Sequence, residues 1–323
     1  MPKHNSADIE QRLPFNFVER LKQIVPPGYY EQVLQSFEND LAITFRINVN
    51  HPKDAVLKRI LSSGLSVEEI PWFNAAYIVK SGENIDEIRE LEESGAIYRQ
   101  GLSSLLVPVV LNPQPQEKIL DVCAAPGSKT TQMSQMMKDT GEIIAVEAVK
   151  ERLFKLKSVI KLHNAVNIKT ICMDARKFKS DVLFDRILVD APCSSEGRFD
   201  LANKKSFSYW SLRKIREMRK KQKGILLNAA RWLKPGGVLI YSTCTFAPEE
   251  NEQVIDWFLR KEKEQFFIEK IDPSEFTGVQ TYPAIEAWGE MVFTPDVSNS
   301  LRILPNDFMS GFFIAKFRRR DSI

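Results

Sequence analysis

The sequence predicts an α/β protein whose main part is a doubly wound sheet, preceded by a smaller α+β domain. Two observations predict the sheet: short apolar runs alternate with longer amphipathic stretches, and an acidic or small polar residue follows each run. A third observation is a change of pattern near Pro113 and Pro115, before which the elements are short and mixed. We therefore expect two domains, residues 1–105 and residues 106–323.

The first part of the chain predicts a small α+β unit. The expected helices are 14–24, 30–37 and 54–61, and the expected strands are 43–49, 77–79 and 96–99. In the second part, the strands are KILDVCAA, GEIIAVEA, IKTICMDA, FDRILVDA and GGVLIYST, with helices beginning at Lys129 and Lys150 and a long basic helix before the last strand. We expect residues 312–317 to return to the sheet and the arginines at 318–320 to form its solvated end.

Composition and charge exclude several protein classes. The 323 residues are 43% hydrophobic, and the net charge of +3 is too small by itself to indicate a nucleic-acid partner. The four cysteines form no CxxC pair and have no histidine at metal-ligand spacing, so we expect neither a disulfide framework nor a metal site. The N-terminal residues lack the apolar core of a signal peptide, and no apolar stretch is long enough to span a bilayer, so a cytoplasmic protein is expected.

Ligands of doubly wound sheets bind beyond the carboxyl ends of the strands, so the residues that follow each strand are the candidates for a site. After the first strand comes a turn of small residues that opens a helix, where the backbone can approach a bound nucleotide and free N–H groups point outward. This turn comprises Cys123, Ala124, Ala125, Pro126, Gly127, Ser128 and Lys129.

Acidic residues follow the next three strands. Glu147 is placed to accept ribose hydroxyls, and Asp174 and Asp190 stand at the corresponding positions after the third and fourth strands. Each acid alone is equally compatible with a solvated loop residue or a helix cap. Their regular placement favours a binding site.

Two cysteines also lie at strand ends. Cys193 follows the fourth strand in VDAPCSSEG and Cys244 follows the fifth in YSTCT, and both are flanked by polar and turn-forming residues. We expect both to face the ligand pocket. Free cysteine is commonly a small buried hydrophobe, which is our interpretation of Cys172, and Cys123 is interpreted as local packing with its backbone near the ligand.

The segments DVCAAPGSKTTQ, VDAPCSSEG and YSTCTFAPEENEQVI resemble the signature motifs of the Sun-type (RsmB/RsmF-like) RNA cytosine-C5 methyltransferases. The resemblance covers about the last two-thirds of the chain and implies a Rossmann-like class I methyltransferase domain that uses S-adenosylmethionine. It further implies that Cys244 is the nucleophile, that Cys193 assists product release, and that residues 123–129 with Glu147, Asp174 and Asp190 hold the cofactor. Arg152, together with Lys129, is expected to support it.

The chemistry of the implied reaction explains these residue types. Carbon 5 of cytosine is too weak a nucleophile to take a methyl group unaided, and addition of a thiolate to carbon 6 activates it. Asp190 is expected to bind the edge of the base and stabilise the charge that develops there. The histidines, His4, His51 and His163, lie outside the motifs, which disfavours a Cys–His dyad.

The target cytosine must leave its stack to be attacked. RNA is the expected partner, and residues 1–105 are expected to form an RNA-recognition domain. We expect the chain to be a monomer. Residues 213–223 carry seven basic side chains against Glu217 and are expected to track phosphates, with a solvated helix face as the alternative. Trp210 is expected to pack into the core. The acids of 248–252 are expected to cap the helix after Cys244.

The substrate remains open at the level of the sequence. The core looks closest to the bacterial small-subunit rRNA enzymes, with tRNA methylation, a non-catalytic assembly factor and DNA cytosine methylation as alternatives. The last would use Cys193 as nucleophile. Neither Cys193 nor Cys244 departs from the family pattern. The residues that do are Gly101, Leu102, Ser195, Asn306 and Ser310.

Overall fold

The computed structural model describes residues 5–38, 41–82 and 84–321, so His4 and the outermost ends of the two expected domains lie outside the described residues. Its described part opens with the helices α1 (Ser6–Arg12), α2 (Phe15–Ile24) and α3 (Pro27–Ser36). The helices predicted at 14–24 and 30–37 are confirmed within three residues, whereas α1 was missed. Phe17 of α2 packs 4.7 Å from Phe199 and 5.7 Å from Trp210 between ring centroids, so the helices rest on the second half of the chain.

A four-stranded antiparallel sheet follows, in the order β2-β3-β1-β4. Its strands are β1 (Thr44–Ile47), β2 (Ser66–Glu69), β3 (Ala76–Ser81) and β4 (Ile97–Arg99). Two helices, α4 (Lys53–Ser62) and α5 (Ile85–Glu93), bury Ile60 and Ile88 against Phe45 of this sheet. Strand β2 escaped prediction because its sequence, SVEE, is polar and mostly exposed.

Helix α6 (Leu102–Leu111) crosses the expected domain boundary at residue 105. Its sequence, LSSLLVPVVL, is apolar almost throughout, and it is buried between the small sheet and the large one. No periodicity marked it in the sequence, because a helix that is buried on all sides has no polar face. The division into residues 1–105 and 106–323 stays a prediction.

Within the described residues, nine strands form the large sheet. Five of them are parallel, in the order β7 (Ile168–Cys172), β6 (Glu142–Glu147), β5 (Lys118–Asp121), β8 (Phe184–Asp190) and β9 (Leu233–Thr243). Strand β15 (Phe312–Arg319) pairs antiparallel with β9, as predicted for 312–317, and is flanked by β10 (Phe266–Glu269) and β14 (Leu301–Ile303). The sheet ends at β11 (Thr281–Tyr282), and a separate hairpin joins β12 (Ala287–Trp288) to β13 (Met291–Val292).

Helices cover both faces of this sheet. Along β8, Ile187 and Val189 enter one apolar cluster and Leu188 enters another, because successive side chains of a strand point to opposite faces. The first face carries α9 (Leu212–Ala230) and α10 (Glu252–Glu262), and the second carries α6, α7 (Ser128–Met136) and α8 (Lys150–Leu162). The predicted doubly wound α/β fold is confirmed.

Three local predictions were wrong. Cys172 is exposed, because β7 is the edge strand of the sheet and only half covered. Arg318 and Arg319 are half-buried, and Arg318 forms an ion pair with Glu269, so only Arg320 of the three is fully solvated. The N-terminus of α10 has no side-chain cap; the acids before it bind elsewhere, as described below.

Candidate active site

A cavity of about 660 Å³ lies beyond the carboxyl ends of β5, β6, β8 and β9. Every residue proposed for the site except Gly127 lines it. Part of the wall comes from the first half of the chain, at residues 98–101, and another part from residues 305–312. The parallel strands place the predicted residues together, since their carboxyl ends meet at one edge of the sheet.

The turn from β5 into α7 follows the predicted pattern. Gly127 has a φ of 116°, and a Cβ there would lie 2.9 Å from Leu156 Cδ1, so glycine is required both by the backbone and by the packing of α8. The Ala125–Pro126 peptide bond is cis. The turn leaves the N-terminus of α7 open to the cavity through Ser128 and Lys129.

Glu147 ends β6 and is 3% exposed. Its Oε1 accepts a hydrogen bond from Val149 N at 2.9 Å, and its Oε2 lies 3.1 Å from Arg152 Nη1 but accepts no hydrogen bond. Arg152 also donates to Ala125 O at 2.6 Å, which links α8 to the turn. A buried carboxylate oxygen without a donor is costly, so this atom is prepared to accept one from a ligand.

Two further acids differ in their protonation. Asp174 is half-buried and accepts hydrogen bonds from Arg176, which lower its pKa to about 2. Asp121, which ends β5 and was not among the predicted site residues, is buried, and burial raises its pKa to about 7 although Thr130 Oγ1 donates to it at 2.7 Å. The position of Asp121 at a strand end was the signal that could have identified it.

Asp190 occupies the centre of the cavity wall. Its Oδ2 accepts a hydrogen bond from Lys129 Nζ at 2.7 Å, and its Oδ1 accepts one from Ser242 Oγ at 2.8 Å. Lys129 also lies 5.5 Å from the ring centroid of Phe312. Both residues of this ion pair line the cavity. Ser242 of β9 holds Oδ1, so the carboxylate of Asp190 has a fixed orientation.

Cys193 and Cys244 lie side by side on the cavity wall, with their Sγ atoms 3.4 Å apart. We call this part of the cavity the cysteine end. Ser195 Oγ lies 3.9 Å from Cys193 Sγ and 3.7 Å from Cys244 Sγ. The Cys193 thiol stabilises negative charge on its neighbour and lowers the pKa of Cys244 to about 7, with a smaller contribution from the Arg198 cation. The same contact, together with burial, raises the pKa of Cys193, so ionisation is favoured at Cys244 over Cys193.

Cys123 differs from this pair. It is half-buried on the cavity wall, and burial raises the pKa of its thiol. A thiol with this shift is not a nucleophile at neutral pH, which agrees with its interpretation as a packing residue.

Buried carboxylates join the two cysteine loops, and the sequence analysis missed them. Glu196 accepts hydrogen bonds from Thr245 Oγ1 at 2.9 Å, Phe246 N at 3.1 Å and Trp210 Nε1 at 2.8 Å. The last contact confirms that Trp210 packs. Burial raises the pKa of Glu196.

Glu250 has a similar role on the other side of Cys193. Its carboxylate accepts hydrogen bonds from Ser194 N at 3.0 Å and from Gln222 Nε2 at 2.8 Å, while Gln222 Nε2 also donates to Pro192 O. Burial raises the pKa of Glu250 to about 8. Its neighbour Glu252, in the first turn of α10, is fully buried in an ion pair with Arg302. These acids therefore hold loops rather than cap the helix.

The family departures near the C-terminus build a turn. Asn306 Oδ1 accepts hydrogen bonds from Phe308 N and Met309 N at 2.9 Å each, and Ser310 O accepts one from Ser103 Oγ at 2.7 Å. Met309 and Ser310 line the cavity. These departures thus lie in the part of the wall that adjoins Cys244, since Gly311 O and Cys244 O both lie next to Gly197.

Among the described residues, no helix is long and apolar enough to cross a membrane.

The outer face of α9 carries exposed basic side chains, namely Arg213, Arg216 and Lys220. Arg213 forms an ion pair with Glu217, and Arg219 binds Gln253. The outer face of this helix is therefore strongly basic, and Lys221 extends the charge to the cavity wall.

Known proteins share this architecture. A tRNA (cytosine(49)-C(5))-methyltransferase from Pyrococcus abyssi is 38% identical over 283 residues, which are 85% of this chain and 88% of that protein. The ribosomal RNA small subunit methyltransferase F of Pectobacterium atrosepticum is 33% identical over 324 residues, and the chain spans 63% of its length. The crystal structure of a methyltransferase homologue from Pyrococcus horikoshii matches with a TM-score of 0.80 and 27% identity over 98% of each chain.

A family model described as 16S rRNA methyltransferase RsmB/F matches residues 108–318. These residues contain the turn 123–129, the strand-end acids and Cys193 and Cys244. The chain therefore belongs to the RsmB/F family of RNA cytosine-C5 methyltransferases and uses S-adenosylmethionine as its cofactor.

Proposed function

We propose that this chain methylates carbon 5 of a cytosine in RNA through a covalent bond between Cys244 and carbon 6 of the base. The observation that carries the proposal is the pair of thiols 3.4 Å apart on the wall of a cavity that also holds the Asp190–Lys129 ion pair. S-adenosylmethionine supplies the methyl group on a positively charged sulfur.

In the first step, the Cys244 thiolate adds to carbon 6 of the cytosine. The new Sγ–C6 bond moves the electron pair of the C5–C6 double bond onto carbon 5, which then takes the methyl group. Asp190 accepts a hydrogen bond from the exocyclic amine and faces N3, which takes up a proton from solvent as the thiolate adds, so the carboxylate stabilises the charge that develops on this edge of the base. Lys129 and Ser242 keep its carboxylate in place.

In the second step, a base takes the proton from carbon 5, the C5–C6 double bond forms again, and Cys244 leaves as a thiolate. Cys193 stays protonated, because its neighbour raises its pKa, and it lies within contact of the departing sulfur. A hydrogen bond from its thiol would stabilise that leaving group. This is the role that we assign to Cys193.

The cofactor end of the cavity fits S-adenosylmethionine. Oε2 of Glu147, which accepts no hydrogen bond in the protein, would accept one from a ribose hydroxyl, and Arg152 would hold both that carboxylate and the backbone of the turn. The turn 123–129 would approach the methionine part with its backbone, and Asp174 would bind at the adenine end.

RNA would lie across α9 and the mouth of the cavity. Its phosphates would contact the basic outer face of α9, and residues 98–101 of the small sheet would complete the wall around the flipped base. The recognition role of residues 1–105 remains a prediction, as do the monomeric state, the cytoplasmic location and the absence of a metal.

For the RNA class, we propose tRNA, with small-subunit rRNA as the second candidate. The Pyrococcus abyssi relative, whose name specifies tRNA, has the higher identity and is matched along 88% of its length. The motifs led us to expect rRNA, and the Pectobacterium relative, whose name specifies that substrate, supports the second candidate.

The first experiment measures transfer of labelled methyl from S-adenosylmethionine to bulk tRNA, purified rRNA and assembled small subunits. We expect label in tRNA, and its loss by at least about a thousandfold in Cys244→Ala. Cys172→Ala is the matched control, since that thiol is exposed at the sheet edge. Label in rRNA alone would select the second candidate, and no label in any RNA would favour the assembly factor.

The second experiment tests the covalent bond. Cys193→Ala should accumulate an enzyme–RNA complex that survives a denaturing gel, because release loses the hydrogen bond to the leaving sulfur while addition still proceeds through Cys244, at a higher pH than in the parent protein. Cys244→Ala should form none. The reverse pattern would identify Cys193 as the nucleophile and overturn the mechanism.

The third experiment tests the RNA surface. Replacing Arg213, Arg216 and Lys220 by glutamine should reduce the slope of log affinity against log salt by up to about 3, because each phosphate contact contributes about 0.9. The control replaces Lys261, Lys263 and Lys270, which are exposed and lie outside both α9 and the cavity wall. An equal effect of both sets would contradict the placement of RNA on α9.

A further inference from the structure

Arg46 is a buried cation of the small sheet whose partners are neutral. It lies in β1, is 1% exposed, and donates to Gln100 Oε1 at 3.1 Å, Gln135 Oε1 at 2.8 Å and Thr131 Oγ1. Within the described residues, no carboxylate forms an ion pair with it. Burial lowers the pKa of Arg46 to about 10, so it still carries its charge at neutral pH.

A buried charge without a counter-ion is expensive, and a chain of ordinary polar residues could join two elements at lower cost. The guanidinium is suited to this place because its five donors lie in one plane and can bind several acceptors on different elements at once. Here the acceptors belong to both halves of the protein: Gln100 follows β4, while Thr131 and Gln135 lie on α7.

The contacts of Arg46 converge on the cavity wall, although Arg46 itself does not line it. Its guanidinium carbon lies 4.9 Å from the ring centroid of Tyr98, and Nη2 lies 3.4 Å from Ser128 O. Tyr98, Gln100 and Ser128 all line the cavity. Arg46 thus contacts three wall residues that come from two different parts of the chain.

The same network reaches the turn that holds the cofactor. Thr131 Oγ1, which accepts from Arg46, donates to Gly127 O at 2.8 Å. Two residues earlier, Lys129 binds Asp190 at 2.7 Å. A displacement of the first turn of α7 would therefore move the cofactor turn and the ion pair that faces the base.

We propose that Arg46 is a positioning residue, which fixes the first turn of α7 against the small sheet and so sets the affinity for S-adenosylmethionine. The small sheet is then a permanent support of the cofactor site in addition to any contact that it makes with RNA. This proposal rests on the proposed binding of S-adenosylmethionine at the turn 123–129, and it does not depend on which RNA is the substrate.

The test compares Arg46→Lys and Arg46→Met with Arg59→Lys, a control on the same unit whose arginine is half-exposed and bound to Glu87 and Glu90. An ammonium keeps the charge but cannot reach acceptors on both elements at once. We expect the Kd for S-adenosylmethionine, measured by calorimetry without RNA, to rise about tenfold in Arg46→Lys and more in Arg46→Met, with no change in Arg59→Lys.

Thr131→Val provides a milder variant that keeps the shape of the side chain and removes its hydroxyl. It should raise the same Kd about threefold while the melting temperature stays within a few degrees of the parent protein. Lower melting temperatures with an unchanged Kd in all three variants would mean a purely structural role and would overturn the proposal. Because the measurement contains no RNA, failure of the proposed methylation would leave it intact.

Discussion

The two ends of the cavity are built differently. At the cofactor end, each acid is held by residues close to it in the chain: Glu147 by Val149 and Arg152, and Asp174 by Arg176. At the cysteine end, Cys193 meets Cys244, and Glu196 and Glu250 join loops some 50 residues apart. The first end is therefore specified by local segments, and the second by the pairing of β8 with β9.

The pH dependence of transfer tests the cysteine end and should give the largest effect. In the proposed mechanism Cys244 reacts as a thiolate, and its pKa is lowered to about 7, so single-turnover transfer should rise with pH and level off above 7. At pH 5 the rate should be about a hundredfold below the plateau. In Cys193→Ala, formation of the covalent complex should inflect at higher pH, because the stabilising thiol is lost. An unshifted inflection would contradict this assignment.

Glu147→Gln tests the cofactor end. The substitution replaces a carboxylate oxygen that accepts no hydrogen bond within the protein, so the Kd for S-adenosylmethionine should rise about 10- to 100-fold, as expected for loss of a hydrogen bond to a charged group. Formation of the thiolate should not change. The control is Glu142→Gln at the opposite end of the same strand, where the acid pairs with Lys169. Equal losses in both variants would indicate damage to β6 rather than to a ribose contact.

Glu196→Gln tests whether the cysteine geometry depends on contacts distant in the chain. Its amide would place a donor against donors from Thr245, Phe246 or Trp210, which should separate the two loops. We expect kcat to fall about tenfold while the Kd for S-adenosylmethionine stays within twofold. Glu217→Gln on the exposed face of α9 is the control. A loss of cofactor affinity instead would mean that the two ends are not independent.

Glu250→Gln should have the smallest effect, visible in the pH dependence of stability. Burial raises the pKa of Glu250 to about 8, so the stabilisation linked to its proton is complete below the unfolded value near 4.3 and is lost as pH rises through 8. The melting temperature should therefore fall less between pH 5 and 8 in the variant, by about 2 °C or more. Glu249→Gln is the opposite control: burial opposes ionisation there, but Arg20 lowers the net pKa of Glu249. If the melting temperatures of Glu250→Gln and the parent protein changed equally with pH, the raised pKa of Glu250 would be contradicted.

The sequence by itself determined which functional residue follows each parallel strand. Each strand of the second half is a short apolar run that ends in an acid, a turn or a cysteine, and this pattern placed Glu147, Asp190 and Cys244 at one edge of the sheet before any coordinates. The motifs also gave the family and the cofactor. Such features are local, because they depend on a few consecutive residues and on the rule that parallel strands share their carboxyl edge.

Only the tertiary structure decided which side chains lie between elements. The contacts that Arg46 and Glu196 make between elements have no local signal, because their partners lie on other elements and their burial depends on packing. The same reason explains the error at Cys172, whose apolar strand is exposed because no further strand covers its edge. The lowered pKa of Cys244 likewise comes from Cys193, 51 positions away in the chain, because the pairing of β8 with β9 brings the two Sγ atoms to 3.4 Å.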